Sequence, residues 1–111
     1  MKVSFNGYDE KTVTFTCDDT VGKGTLVKLS QNGEVTACAD GDDFIGVAVN
    51  ARGGFAGVQM GGYTCVPVSG SLAPGFQMLS AAGATSVKSA ASGGREHLVL
   101  DTADGCAGFL I

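Results

Sequence analysis

The chain has 111 residues, 44% of them hydrophobic and 16% charged, with 18 glycines and a formal net charge of −4. That length supports one domain with a real core rather than two ordinary ones, and the composition is too apolar for a disordered segment. An acidic balance without clustered Lys or Arg excludes the electrostatic footprint of nucleic-acid binding, and no apolar run reaches the length of a membrane span.

Residues 1–20 read as an additional strand or arm. Met1 to Phe5 is a short strand, Asn6-Gly7 a turn leading to Tyr8, and nothing in MKVSFNGYDE forms the hydrophobic core of a secretion signal. Lys11 to Cys17 alternates cleanly, with Val13, Phe15 and Cys17 on one face and Thr12, Thr14 and Thr16 on the other. Asp18-Asp19 and Gly22-Lys23-Gly24 then make a loop.

Thr25 to Leu29 and Glu34 to Cys38 form a hairpin around Gln31-Asn32-Gly33. A three-residue loop with Gly33 left-handed sets Leu29 against Val35, Val27 against Ala37, Lys28 against Thr36 and Ser30 against Glu34. It gathers the apolar side chains on one face, which a two-residue turn would not do.

The turn Ala39 to Asp43 carries Asp40, Asp42 and Asp43. A calcium loop of the EF-hand type is excluded, since Ile45 stands where its glycine is needed and no glutamate closes the set, so the turn reads as solvated carboxylates.

The strongest signal is DFIGVAVNARGGFAGVQMGGYTCVPV, residues 43–68. Gly53-Gly54 supplies the two positive φ angles of a type I′ turn. In that register Val47, Val49, Ala51, Ala56, Val58 and Met60 share one apolar face, and Ala48, Asn50, Arg52, Phe55, Gly57 and Gln59 share the other. Gly61-Gly62 is then either a second tight turn or, the preferred reading, a bulge in one long bent strand running to Val68, with Pro67 confined to an edge or strand end.

Ala73-Pro74-Gly75-Phe76 is a type II turn signature. Phe76 to Ser80 reads as a strand, Ala81 to Ala84 as a turn, Thr85 to Lys88 as a weaker strand, and Ser89 to Gly94 as a loop.

The end of the chain repeats its middle. With Leu98–Ile111 placed beneath Val47–Met60, Gly54 falls on Gly105, Ala56 on Ala107, Gly57 on Gly108 and Val58 on Phe109. Asp104-Gly105 is a second type I′ signal, setting Leu100 against Phe109 and Leu98 against Ile111. The expectation is one all-β domain over residues 1–111, a small Gly-rich antiparallel barrel or sandwich. It is built from two related hairpin-pair halves, roughly 22–68 and 73–111, that share one core. No segment has a helical period.

Candidate chemistry is sparse. Cys17, Cys38, Cys65 and Cys106 form no C-x-x-C, and His97 is adjacent to none of them, which excludes the spacing of a zinc site. Two disulfides or four thiols are the alternatives, and without a secretion signal the thiols are favoured. Arg95-Glu96-His97 reads as a solvated strand entrance, because strand neighbours point to opposite faces and cannot converge on a substrate. The glycines at 22, 24, 53, 54 and 57 follow no strand-to-helix phosphate pattern. No enzyme, metal or cofactor is therefore expected. Phe55, turned outward beside its turn, and Tyr63 are candidates for an exposed apolar patch that meets a partner. At the chain's end Phe109 and Ile111 join them, because Gly108-Phe109-Leu110-Ile111 needs a covering strand or partner surface.

GTLVKLSQNGEVTACADGDDFIGVAVNARGGFAGVQMGGYTCVPVSG, followed by LAPGFQMLSAAGATSVKS, resembles the small β-barrel capsid decoration (cement) proteins of tailed phages. The shared order is a glycine, an apolar strand, a polar hairpin, Ile-Gly-Val-Ala, a Gly-rich hairpin and an apolar strand, over roughly residues 20 to 111. The resemblance implies a structural protein made in the bacterial cytoplasm. It would bind the major capsid protein on the outside of an assembled head, often as a homotrimer, and it brings no ligand residues. A small-molecule or carbohydrate-binding β module is the alternative, which the lack of Trp and the presence of only two Tyr disfavour.

Overall fold

A computed structural model describes residues 10–90, 93–103 and 105–111. The strand expected at Met1–Phe5, the Asn6-Gly7 turn, Tyr8, part of the Ser89–Gly94 loop and Asp104 lie outside the described residues.

The molecule is all-β. Its strands are β1 (Lys11–Cys17), β2 (Leu26–Gln31), β3 (Glu34–Ala37), β4 (Gly46–Arg52), β5 (Phe55–Gly61), β6 (Tyr63–Pro67), β7 (Gly75–Ala81), β8 (Val87–Ser89), β9 (Arg95–Ala103) and β10 (Cys106–Leu110). The first five close into a barrel in the order β1-β3-β2-β4-β5, and the last five form a sheet in the order β6-β10-β9-β7-β8.

The two halves follow one plan. Each begins with a strand that pairs antiparallel with the last strand of its own half, β1 with β5 and β6 with β10. Each then has two hairpins whose first strands pair, β2 with β4 and β7 with β9. In the first half the parallel pairing of β1 with β3 closes the barrel. In the second a parallel bridge from Val68 to Val87, with the Ser69 N–H donating to the Val87 carbonyl at 2.8 Å, brings the two sheet edges together. The repeating unit thus includes a leading strand, which the hairpin pattern alone did not reveal.

Gly53 (φ 60°) and Gly54 (φ 84°) make the central turn, and Arg52–Phe55, Ala51–Ala56 and Asn50–Gly57 pair as the alternation predicts. Beyond them a bulge takes in Val49, so that Ala48 faces Val58 and Val47 faces Gln59. The expected face is therefore corrected at Val47 and Val49, because one extra residue turns the rest of β4 to the opposite side and puts Ala48 with Ala51; Met60 is passed over in the ladder of β5 with β1 and is exposed. The second hairpin has its bulge at the matching residue. Leu100 is passed over, and Val99 rather than Leu100 faces Phe109 while Leu98 faces Leu110.

These coincident bulges explain the repeated glycine. In the first hairpin the Gly57 N–H donates to Asn50 Oδ1 at 3.0 Å, and a Cβ on Gly57 would come within 3.0 Å of that oxygen. In the second, a Cβ on Gly108 would fall onto the Asp101 carboxylate and the Tyr63 hydroxyl.

The β2–β3 hairpin pairs Val27–Ala37, Lys28–Thr36 and Leu29–Val35 as expected, but its tip is tighter, with Gln31 opposite Glu34 and Ser30 left over. Val27 and Val35 are buried, whereas Leu29 is 54% exposed, at the barrel end. The long bent strand expected through Gly61-Gly62 is divided between the two sheets, with Gly62 between β5 and β6.

The interior has two clusters instead of the single core expected. Val21, Val27, Val35, Ala48, Ala56 and Val58 fill the barrel, with Phe15 and Cys17 packed against them. A larger cluster joins Leu26, Cys38, Phe44 and Val47 of the first half to Val66, Leu79, Val87, Val99 and Phe109 of the second.

Candidate functional site

Among the described residues no group of His, Cys, Asp and Glu is placed to hold a metal ion. Three groupings from the sequence bear on chemistry: the acidic turn, the Arg95–His97 run and the cysteines. In the acidic turn, Lys28 Nζ meets Asp42 Oδ2 at 2.6 Å and Lys88 Nζ meets Asp40 Oδ1 at 2.9 Å. The Ala39 N–H also donates to Asp42 Oδ2 at 2.8 Å. The hydrogen bond from Lys28 and that from Ala39 hold the Asp42 carboxyl below its ordinary range. Asp40 and Asp43 are exposed, as the solvated reading expects, while Asp42 is partly buried against Lys28 and the Asp40–Lys88 pair links the first half to the second.

His97 departs furthest from its expected setting. Arg95 and Glu96 are exposed, but His97 is 3% exposed. Its ring stacks on Phe44 with centroids 5.2 Å apart and meets Phe109 edge-on at 5.3 Å. Nδ1 lies 2.9 Å from the Leu110 carbonyl, while the buried Nε2 has no hydrogen-bond partner among the described residues. Burial pushes the imidazole below its ordinary proton affinity, so Nδ1 donates and Nε2 carries the lone pair. The strand-entrance reading fails for His97 because β9 alternation turns it inward between Glu96 and Leu98.

Four free thiols are present. Burial, with Asp42 nearby, raises Cys38 to about 11. Cys65 pairs across β6 and β10 with Gly108, two residues from Cys106, and burial together with the Cys106 thiol pushes it up. Cys38 and Cys65 are therefore poor nucleophiles near neutral pH.

Of the four residues singled out for partner contact, Phe55 is 56% exposed at the hairpin tip, where its neighbours in the ladder are Arg52 and Thr16. Tyr63 is 8% exposed, and its hydroxyl donates to Asp101 Oδ1 at 3.1 Å. Burial and that carboxylate push the phenol up to about 12. Phe109 is fully buried. Ile111 is partly buried against the larger cluster, its N–H donating to the Gly62 carbonyl at 3.0 Å.

The sequence reading passed over a second apolar surface. On the outer face of the second sheet Phe76, Leu98, Leu110 and Tyr63 follow one another across β7, β9, β10 and β6. Phe76 is 69% exposed and Met78, two residues along, is also exposed. Phe76-Gln77-Met78-Leu79 offers apolar side chains to both faces, so alternation alone could not say which would be covered.

An open groove of about 240 Å³ lies at the β9–β10 turn, lined by Val68, Ser71, Leu72, Thr102 and Cys106 among others. Among the described residues its lining has no aromatic or charged side chain, the kind of group that orients a small molecule in a pocket.

No protein-family model matches the chain, and no curated protein matches it in sequence.

Proposed function

We propose that this is a structural protein that decorates and stabilises the head of a tailed phage, binding the major capsid protein on the outside of the assembled particle as a homo-oligomer, most simply a trimer. The observation that carries it is the distribution of exposed apolar side chains. Phe55 and Phe76 stand on separate sheet faces, both more than half exposed, and the polar clusters are taken up by internal contacts. A chain with anchors on several faces suits bridging between subunits, where many copies sum modest contacts. Within the expected leading arm, β1 closes the barrel by pairing with β3 and β5.

Co-sedimentation with empty heads of the phage that encodes the chain tests this reading. The protein is expected to pellet with expanded heads and to ignore dissociated capsid subunits. A protein that stays in the supernatant but binds a sugar or metabolite in calorimetry reassigns it to the alternative, a small-molecule or carbohydrate-binding module using the groove beside Cys106.

A further inference from the structure

Two of the cysteines are neighbours across the second sheet. Cys65 on β6 faces Gly108 on β10, and Cys106 lies two residues before Gly108 on the same strand. Facing residues in a ladder share a side of the sheet, as do residues two apart on one strand, so both thiols stand on one face. That face is the outer one, because Val66 and Ala107, the strand neighbours of the pair, are buried. Cys65 is exposed and Cys106 half-buried. Burial, and then the Cys106 thiol beside it, raise Cys65, which sets the two sulfurs against each other in space as well as in register. Cys17 and Cys38 lie apart from this pair, one packed on the barrel cluster and the other inside the larger cluster.

Access to the pair is uneven. Cys106 also lines the open groove at the β9–β10 turn, with Ser71, Leu72 and Thr102. A small reagent resting in that groove meets the Cys106 sulfur first, while the held proton on Cys65 makes it the slower thiol.

We propose that Cys65 and Cys106 are a reversible oxidation site, closed to a cross-strand disulfide by a small disulfide oxidant of the glutathione class. The Cys106 thiolate attacks one sulfur of the oxidant in the groove, forming a mixed disulfide and releasing the first thiolate. Cys65 then gives up its proton and attacks the Cys106 sulfur, forming the bond between strands and releasing the second thiolate. Two protein thiols are oxidised, one oxidant disulfide is reduced to two thiols, and the two protein protons end on them.

The register also says how firmly the bond holds. Diagonal neighbours in an antiparallel ladder have Cα atoms about 7–8 Å apart, just beyond the span of about 4.4–6.8 Å that an unstrained disulfide bridges. Closing the bond therefore draws β6 along β10, and β6 can give because it is an edge strand of its sheet. A bridge that strains its strands is readily reduced again, as regulatory disulfides are and structural ones are not. The inference goes beyond the proposed function and does not depend on attachment to a head.

The test exposes the unaltered chain to oxidised glutathione and follows it by thiol titration under denaturing conditions and by peptide mapping. Thiols should fall from four to two, with one bond joining Cys65 to Cys106, and reduced glutathione should restore all four. Cys65→Ser should instead keep glutathione on Cys106, and Cys106→Ser should leave Cys65 unmodified in the same exposure. Circular dichroism checks both variants, with Cys65→Ala and Cys106→Ala standing in for one that fails to fold. Four thiols that persist in the unaltered chain, glutathione retained on its Cys106, or a bond joining any other pair would each overturn the proposal. So would a bond that reduced glutathione leaves intact.

Discussion

At Gly108 the absence of a side chain has a cause that can be named. The Tyr63 hydroxyl reaches over it to Asp101, and a methyl group there would displace both. Gly108→Ala should cost about 2–3 kcal/mol in chemical denaturation, the range of overpacking a filled site. Gly57→Ala should cost less, because its added carbon meets only the Asn50 amide at 3.0 Å or more. Equal losses at the two positions would contradict this reading of the bulges. His97 makes the second residue-scale prediction. The folded state holds it neutral, with an affinity for protons below the ordinary value of 6.5. Below that pH the unfolded chain binds a proton that the folded chain refuses, so stability falls as pH drops from about 6.5. The carboxyls Asp18 and Asp42, both lowered, act in a separate and more acidic window, losing their contribution as pH falls below 3.8. In thermal melts between pH 7 and 5, His97→Phe should flatten the slope, and an unchanged slope would show that another group is responsible.

At the level of strands, the sequence was legible where turn chemistry and alternation agreed. Gly53-Gly54 fixed the central turn and its first three pairs, and Val27 with Val35 placed the hairpin of the first half. It became illegible where a residue was added or a neighbour was far away in sequence. Neither Val49 nor Leu100 differs in type from its flanking strand residues, so nothing local announces a bulge. The burial of His97 and Phe109 depends on Phe44 of the first half, and Tyr63 meets Asp101, 38 residues further along the chain. The exposure of Phe76 and Leu29 was hidden for the same reason, since each has a buried counterpart in the other half. That asymmetry gives a prediction. Leu26→Ala removes a fully buried side chain from the cluster joining the halves, and should cost about 3 kcal/mol. Leu29→Ala should leave the stability of the single chain nearly unchanged. A small loss at Leu26 would mean that the halves are held together by their backbone bonds and ion pairs instead.

At the level of the whole molecule, the fold supplies a closed five-stranded barrel and a five-stranded sheet that share a buried cluster, with apolar side chains exposed elsewhere. The all-β class followed from hairpin signals alone, whereas the leading strand of each half and the surfaces available to a partner required the three-dimensional structure. The central claim is that such a body reinforces an assembled shell, and reinforcement is measurable apart from binding. Expanded empty heads of a tailed phage, the shell named in the proposal, can be melted in a calorimeter with and without saturating protein. The account predicts a higher melting temperature for the coated heads, because a ligand that prefers the intact shell stabilises it by mass action. Heads that melt at the same temperature with the protein present would contradict it.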